Sequence, residues 1–265
     1  MPKVQINNIG INYILSGSGP AILFVHGYTD SSKFWAPQVE FFSRRHTAIA
    51  VDLRGHGQSD APAGDYSIPD FSADIFSFLQ KLNIKRTWVL GHSMGGMIAQ
   101  QFYTEYPEYV EGLILCSTAS SGRAMKDAGG FDCLDAIEEI KQDGFEASAR
   151  NAARYLFART ASAEVINFAI SEELKTSREA ALGAPRGMWD WSVEGKLSTI
   201  SIPTLIIVGD QDQATPLSCS EALNRAIVKS QLRIIENCGH MIPVEKPHEL
   251  SVVVRDFLST HVALN

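Results

Sequence analysis

Three residue types that cooperate in acyl transfer are spread along the chain, each in a glycine-marked turn. Ser93 lies in Gly91-His92-Ser93-Met94-Gly95, Asp210 and Asp212 lie in Gly209-Asp210-Gln211-Asp212, and His240 ends Asn237-Cys238-Gly239-His240. A serine hydroxyl is a weak nucleophile at neutral pH. It needs a base to take its proton, and the base needs an acid to orient it. His240 is the best base of the seven histidines, because its loop follows the last strand-like run and precedes a helix. That makes it a glycine-flexed, mobile position at the same sheet edge as Ser93. His46, His248 and His261 read as solvated, His92 as a packing residue of the Ser93 turn, and His26 as a brace for its own loop. For the acid, Asp210 and Asp212 compete, and spacing leaves both open. The other one should satisfy local backbone donors, as Asp does in turns.

These side chains need a sheet to hold them. Trp88–Leu90 is a short apolar run that ends in Gly91, as a strand covered on both faces does. Met94, Met97, Ile98 and Phe102 then fall at helix spacing until Pro107. A strand that feeds straight into a helix needs a sharp, strained turn, with Gly91 and Gly95 making room for it. The turn leaves the Ser93 hydroxyl at a sheet edge and a helix N-terminus, where free N–H groups can hold a developing oxyanion. One donor is then the N–H of Met94. The other comes from His26-Gly27-Tyr28, which follows the strand Ala21–Val25, and is the N–H of Tyr28. Asp52, Arg54 and His56, after the strand Thr47–Val51, read as a locally satisfied loop rather than a catalytic cluster.

A hairpin over 4–15 precedes these elements, and an amphipathic helix runs from Ile68 to Leu82. Leu113–Cys116 is another buried strand. From 120 to 198 strand signals vanish and helices are predicted at 131–141, 145–158, 163–174 and 179–189, punctuated by glycines and by Pro185–Gly187. Strands resume at Thr204–Val208 and Leu232–Ile235, with helices at 217–227 and from Pro247 onward. Strands alternating with helices imply an α/β fold with a mostly parallel sheet, and ligands bind beyond its C-terminal strand ends. The expected division is a core of 1–119 and 199–265 with a helical cap of 120–198. Tyr28, Trp35, Met94, Met125, Phe131, Trp189 and Trp191 are the candidate apolar walls of a pocket between the two.

The 265 residues are 45% hydrophobic and carry a formal net charge of -7. That balance gives no support for a nucleic-acid or membrane partner. Four cysteines without metal-ligand spacing read as reduced thiols, and MPKVQINNIG has no signal-peptide core, so a cytoplasmic location is expected. Self-association into a homo-oligomer stays open.

The stretches HGYTDSSKFW, DLRGHGQSD, GHSMGG, GDQDQATP and NCGHMIPVEKP resemble the successive landmarks of the α/β-hydrolase superfamily, in order, across essentially the whole chain. The nearest resemblance is to bacterial aryl esterases, cofactor-free haloperoxidases or perhydrolases, and 3-oxoadipate enol-lactonases. It implies an eight-stranded α/β-hydrolase sheet flanked by helices, with the cap inserted after the sixth strand. It also implies a Ser93–Asp212–His240 triad, since the family's acid closes a G-x-x-D pattern, here Gly209–Asp212. The family's oxyanion donors map onto Tyr28 and Met94. The implied activity is hydrolysis of small or aryl carboxylic esters through an acyl-enzyme, with no metal or organic cofactor and an ester or lactone as the small-molecule partner. A lactonase or a C–C hydrolase of ring-cleavage products, with perhydrolysis as a side activity, is the alternative. A slow-turnover receptor that keeps the triad is the reading from a different class.

Overall fold

The computed structural model describes residues 2–261. Strands β1 (Lys3–Ile6), β2 (Ile9–Ser16), β3 (Ala21–Val25), β4 (Thr47–Val51), β5 (Thr87–His92), β6 (Val110–Cys116), β7 (Thr204–Gly209) and β8 (Ser230–Ile235) form one eight-stranded sheet in the order β1-β2-β4-β3-β5-β6-β7-β8. β1 and β2 pair antiparallel, as do β2 and β4, and the remaining pairs are parallel. Helices α1 (Ala36–Phe42), α2 (Ile68–Lys81) and α3 (Met94–Glu105) alternate with the first strands. Then α4 (Gly122–Asp127), α5 (Cys133–Asp143), α6 (Phe145–Leu156), α7 (Ala163–Glu173) and α8 (Arg178–Asp190) lie between β6 and β7. Finally α9 (Leu217–Ala226) precedes β8, and α10 (Ile242–Glu245) and α11 (Pro247–Ser259) follow it.

Successive strand residues point to opposite faces, so each central strand feeds two cores. On one face Leu23, Val25, Ile49, Val89, Leu113 and Ile206 pack with Phe71, Ile75 and Phe78 of α2 and Met97, Ile98 and Phe102 of α3. On the other, Ile22, Phe24, Ala50, Leu90, Ile114 and Ile207 pack with Val39 and Phe42 of α1 and Val254, Phe257 and Leu258 of α11. The near-continuous apolar runs of β3, β5 and β7 follow from this double coverage. α2 starts at a capping box in which Ser67 and Asp70 satisfy each other's backbone N–H groups. No helix among the described residues is long and apolar enough to cross a membrane.

The segment holding α4–α8 is pinched at its base by an antiparallel bridge between Ser121 and Ser192 and by the Val193 N–H donating to the Ser120 carbonyl, 3.0 Å. Several details depart from the sequence reading, three of them with a clear local cause. α4 was not expected; its six residues are too few to show a period, and Ser121 caps it through the Ala124 N–H. α5 begins at Cys133 rather than 131, because the Asp132 carboxylate accepts from the Leu134 and Asp135 N–H groups and fixes the start. Pro185, read as punctuation, lies inside α8. A proline there leaves the carbonyl four residues earlier without its helical donor. That carbonyl belongs to Ala181, and the Tyr28 hydroxyl donates to it at 2.6 Å.

Candidate active site

Ser93 sits at the β5–α3 junction with φ 53 and ψ -120. An L-residue avoids that region unless its surroundings impose it. The two flanking glycines show why these surroundings are so tight. A Cβ on Gly91 would stand 2.2 Å from the Gly95 carbonyl oxygen, and one on Gly95 would stand 2.2 Å from the Val25 carbonyl oxygen. The apex is held by the Ser93 N–H donating to the Cys116 carbonyl, 2.9 Å, and by the Thr118 hydroxyl donating to the Ser93 carbonyl, 2.7 Å. Among the described residues, the N–H groups of Met94 and Tyr28 donate to no other protein group. They are left for a ligand at the positions the sequence singles out.

His240 is 4% exposed and lines the same cavity as Ser93. Its Nδ1 lies 3.0 Å from each oxygen of Asp212. Asp212 is fixed in turn by the Ala214 and Thr215 N–H groups at 3.0 and 2.8 Å and by the Thr215 hydroxyl at 2.8 Å. Asp210 does something else: it accepts from the Cys238 N–H at 3.1 Å and so shapes the loop that carries His240. Burial pulls the His240 pKa down, but the Asp212 charge and hydrogen bond, with Asp30 and Glu245 nearby, outweigh it and hold the imidazole above 6.5. Burial also disfavours the Asp212 carboxylate, yet His240 and Thr215 keep its pKa below 3.8. With Nδ1 engaged, Nε2 is the ring nitrogen left for proton transfer.

The His240 loop is pinned, not mobile. The His240 N–H donates to the Leu156 carbonyl at the end of α6, 2.7 Å. Glu245 accepts from the Gly239 and Ala158 N–H groups at 3.2 and 2.9 Å. His92 does more than pack against the turn. Its Nε2 lies 2.9 Å from the His240 carbonyl and its Nδ1 3.2 Å from Asp30. His26 braces its loop by accepting from the Leu53 N–H at 3.0 Å. Asp52 accepts from Ser32 N–H, Gln58 N–H and Asn12, and Arg54 pairs with Asp74. His56 is neutral, its pKa pushed down to about 3 by burial and by His26. This cluster stays structural.

The cavity above Ser93 is walled by Met125, Phe131 and Met188 and reached by Tyr28, Asp30, Tyr155 and Glu173. Met125 and Phe131 were expected there. The three tryptophans were too, and that expectation is corrected. Trp35 is fully buried against Phe24 and His92 in the core beneath. Trp189 lies under Arg123 and Lys126. Trp191 is buried and donates to the Gln101 side chain at 2.8 Å. Asp30 and Glu173 were missed. Asp30 shares the loop of Tyr28, and Glu173 falls four and three residues after the buried Ala169 and Ile170. A carboxylate on the apolar stripe of a helix was the available signal.

The family model for the alpha/beta hydrolase fold matches residues 20–190. The 3-oxoadipate enol-lactonase 2 of Acinetobacter baylyi is 27% identical over 259 residues, 94% of this chain and 95% of that protein. A thermophilic esterase from Thermogutta terrifontis superposes with TM-score 0.89 at 26% identity, covering 99% of this chain and 100% of that one. Est816, an N-acyl homoserine lactone degrading enzyme, superposes with TM-score 0.87 at 26% identity, covering 97% and 100%. Matched over the four strands β3–β6, the strained serine turn and the helices between β6 and β7, the chain belongs to the alpha/beta hydrolase fold family.

Proposed function

We propose that this hydrolase cleaves small or aryl carboxylic esters through an acyl-enzyme on Ser93. The observation that carries the reading is a strained serine opening on a cavity that it shares with a histidine bonded at Nδ1 to both oxygens of a buried aspartate. His240 takes the Ser93 proton as Oγ attacks the ester carbonyl, and Asp212 stabilises the imidazolium that forms. The oxyanion is held by the N–H groups of Tyr28 and Met94. The tetrahedral intermediate collapses, His240 gives the proton to the leaving alkoxide, and the alcohol departs. Water then attacks the acyl-enzyme by the same route and releases the acid and Ser93. A lactone is an internal ester and follows the same steps. The relatives that act on lactones keep that class within the proposal.

The test is the initial rate of p-nitrophenyl acetate, butyrate and octanoate hydrolysis by wild type beside Ser93→Ala. Ser93-dependent release that varies with chain length is the expected outcome. No release from folded wild-type protein overturns the ester reading and favours a C–C hydrolase or a receptor.

A further inference from the structure

Glu172 and Glu173 are neighbours at the end of α7 and both are buried, yet they have opposite surroundings. Glu172 accepts from the Ser31 hydroxyl and pairs with Lys33 and Lys175 at 3.3 and 2.5 Å. Glu173, 3% exposed, lines the cavity over Ser93. Among the described residues its carboxyl has no hydrogen-bond or ion-pair partner. A buried carboxyl without a partner costs free energy that a bound ligand can recover. The cavity offers no lysine or arginine to do so. Its ionisable lining is Tyr28, Asp30, His92, Glu139, Tyr155 and His240, with no lysine or arginine among the described residues. Two of these carboxylates are already engaged: Asp30 accepts from the Gly27 N–H, and Glu139 accepts from Ser148 and Asn151.

We propose that Glu173 is a specificity-determining residue of this cavity, receiving an N–H or O–H donor of the substrate and rejecting substrates that carry a carboxylate. The proposal rests on the ester-hydrolase reading and narrows it to neutral or cationic esters. Burial, with Asp30 beside it, pushes the Glu173 pKa up to about 8. The free site therefore holds a neutral carboxyl near pH 7, whose carbonyl oxygen accepts from a hydroxyl. An incoming ammonium favours its ionisation and pairs with it. A carboxylate brought to the same place meets Asp30 and finds no lysine or arginine among the described residues.

The probes are hexylammonium, hexan-1-ol and hexanoate, which share a chain and differ in the end group. Their binding to wild-type protein and to Glu173→Leu is measured by calorimetry at pH 7. In wild type, hexylammonium or hexan-1-ol should bind at least about tenfold more tightly than hexanoate, the scale of one hydrogen bond to a charged group. Glu173→Leu, which removes the acceptor, should close most of that gap. Ammonium ahead of alcohol assigns ion pairing, and equal binding assigns a neutral hydrogen bond. Hexanoate binding as tightly as hexylammonium in wild type overturns the proposal, and this arm needs no variant to fold. An unchanged gap in a folded Glu173→Leu overturns it as well. The p-nitrophenyl esters of 6-aminohexanoate, 6-hydroxyhexanoate, hexanoate and adipate, tested with and without Ser93, separate the two readings. Ser93-dependent hydrolysis of all four at like rates removes the Glu173 subsite and keeps the esterase. The end-group preference in binding without Ser93-dependent hydrolysis does the reverse.

Discussion

Asp210 and Asp212 stand two positions apart in one turn and contribute on different scales of distance. Asp212 touches His240 with both oxygens, whereas Asp210 touches the backbone of the loop that carries it. Asp212→Asn should therefore cost more of kcat/KM than Asp210→Asn, by at least about tenfold, because orienting the base is worth several orders of magnitude in triads. Equal losses would remove Asp212 from the role. The pH profile gives a second readout on the same pair of variants. His240 must be neutral to accept the proton, so activity falls as pH drops through its pKa, which the carboxylates hold above 6.5. In Asp212→Asn the burial contribution meets less opposition, although Asp30 and Glu245 still face the ring. The acid limb should move to lower pH, while Asp210→Asn leaves it in place. The resemblance alone chose between these aspartates, since their spacing is compatible with either; the choice depends on which way each side chain leaves a tight turn.

Elements with a strong period were legible. The runs at Ala21–Val25, Thr47–Val51 and Met94–Glu105 match their strands and helix end to end; Pro20 opens the first, a charged residue, Asp52, closes the second, and Pro107 follows the third. The region between β6 and β7 was less so. Its helices pack on one another and on α2, and short ones such as α4 carry no readable period. Pro185 shows the limit most clearly: a proline ends a helix on local grounds, yet α8 continues because a tyrosine far away in sequence satisfies the carbonyl it frees. That contact ties the loop of Tyr28 to α8, and it makes a prediction at this scale. Tyr28→Phe keeps the Tyr28 N–H and removes the hydroxyl, leaving the Ala181 carbonyl without a donor. Stability should fall by about 1–3 kcal/mol, the cost of an unsatisfied buried polar group, read as a lower urea midpoint with an unchanged slope. If the urea midpoint stays put, solvent or another donor already serves Ala181 and α8 does not depend on the core loop.

At the scale of the whole molecule the two parts contribute different things. The sheet fixes Ser93, His240, Asp212 and the two N–H donors through backbone strain and buried hydrogen bonds. The segment between β6 and β7 supplies Met125, Phe131, Met188, Tyr155 and Glu173, which line the cavity over Ser93. The placement of Ser93, His240, Asp212 and the two N–H donors could be read from the chain because each of them follows a strand and carries its own turn signal. The pocket could not, because its walls come from helices whose mutual packing is not encoded in any local pattern. The large aromatic residues Trp35, Trp189 and Trp191 looked like walls by type and lie elsewhere, in the core, under two cations and against α3 respectively. This division makes wall and machinery separable by mutation. Phe131 is half-buried and its ring sits 6.1 Å from that of Tyr28, centroid to centroid. Truncating it opens the cavity from the cap side without touching the triad. Phe131→Ala should raise the octanoate-to-acetate ratio of kcat/KM by about tenfold, the scale of burying one or two further methylenes. It should leave the position of the acid limb where the wild type has it, since His240 keeps the same neighbours. A shifted limb would mean that the cap contributes to the base itself. An unchanged chain-length preference would place the acyl chain on another wall.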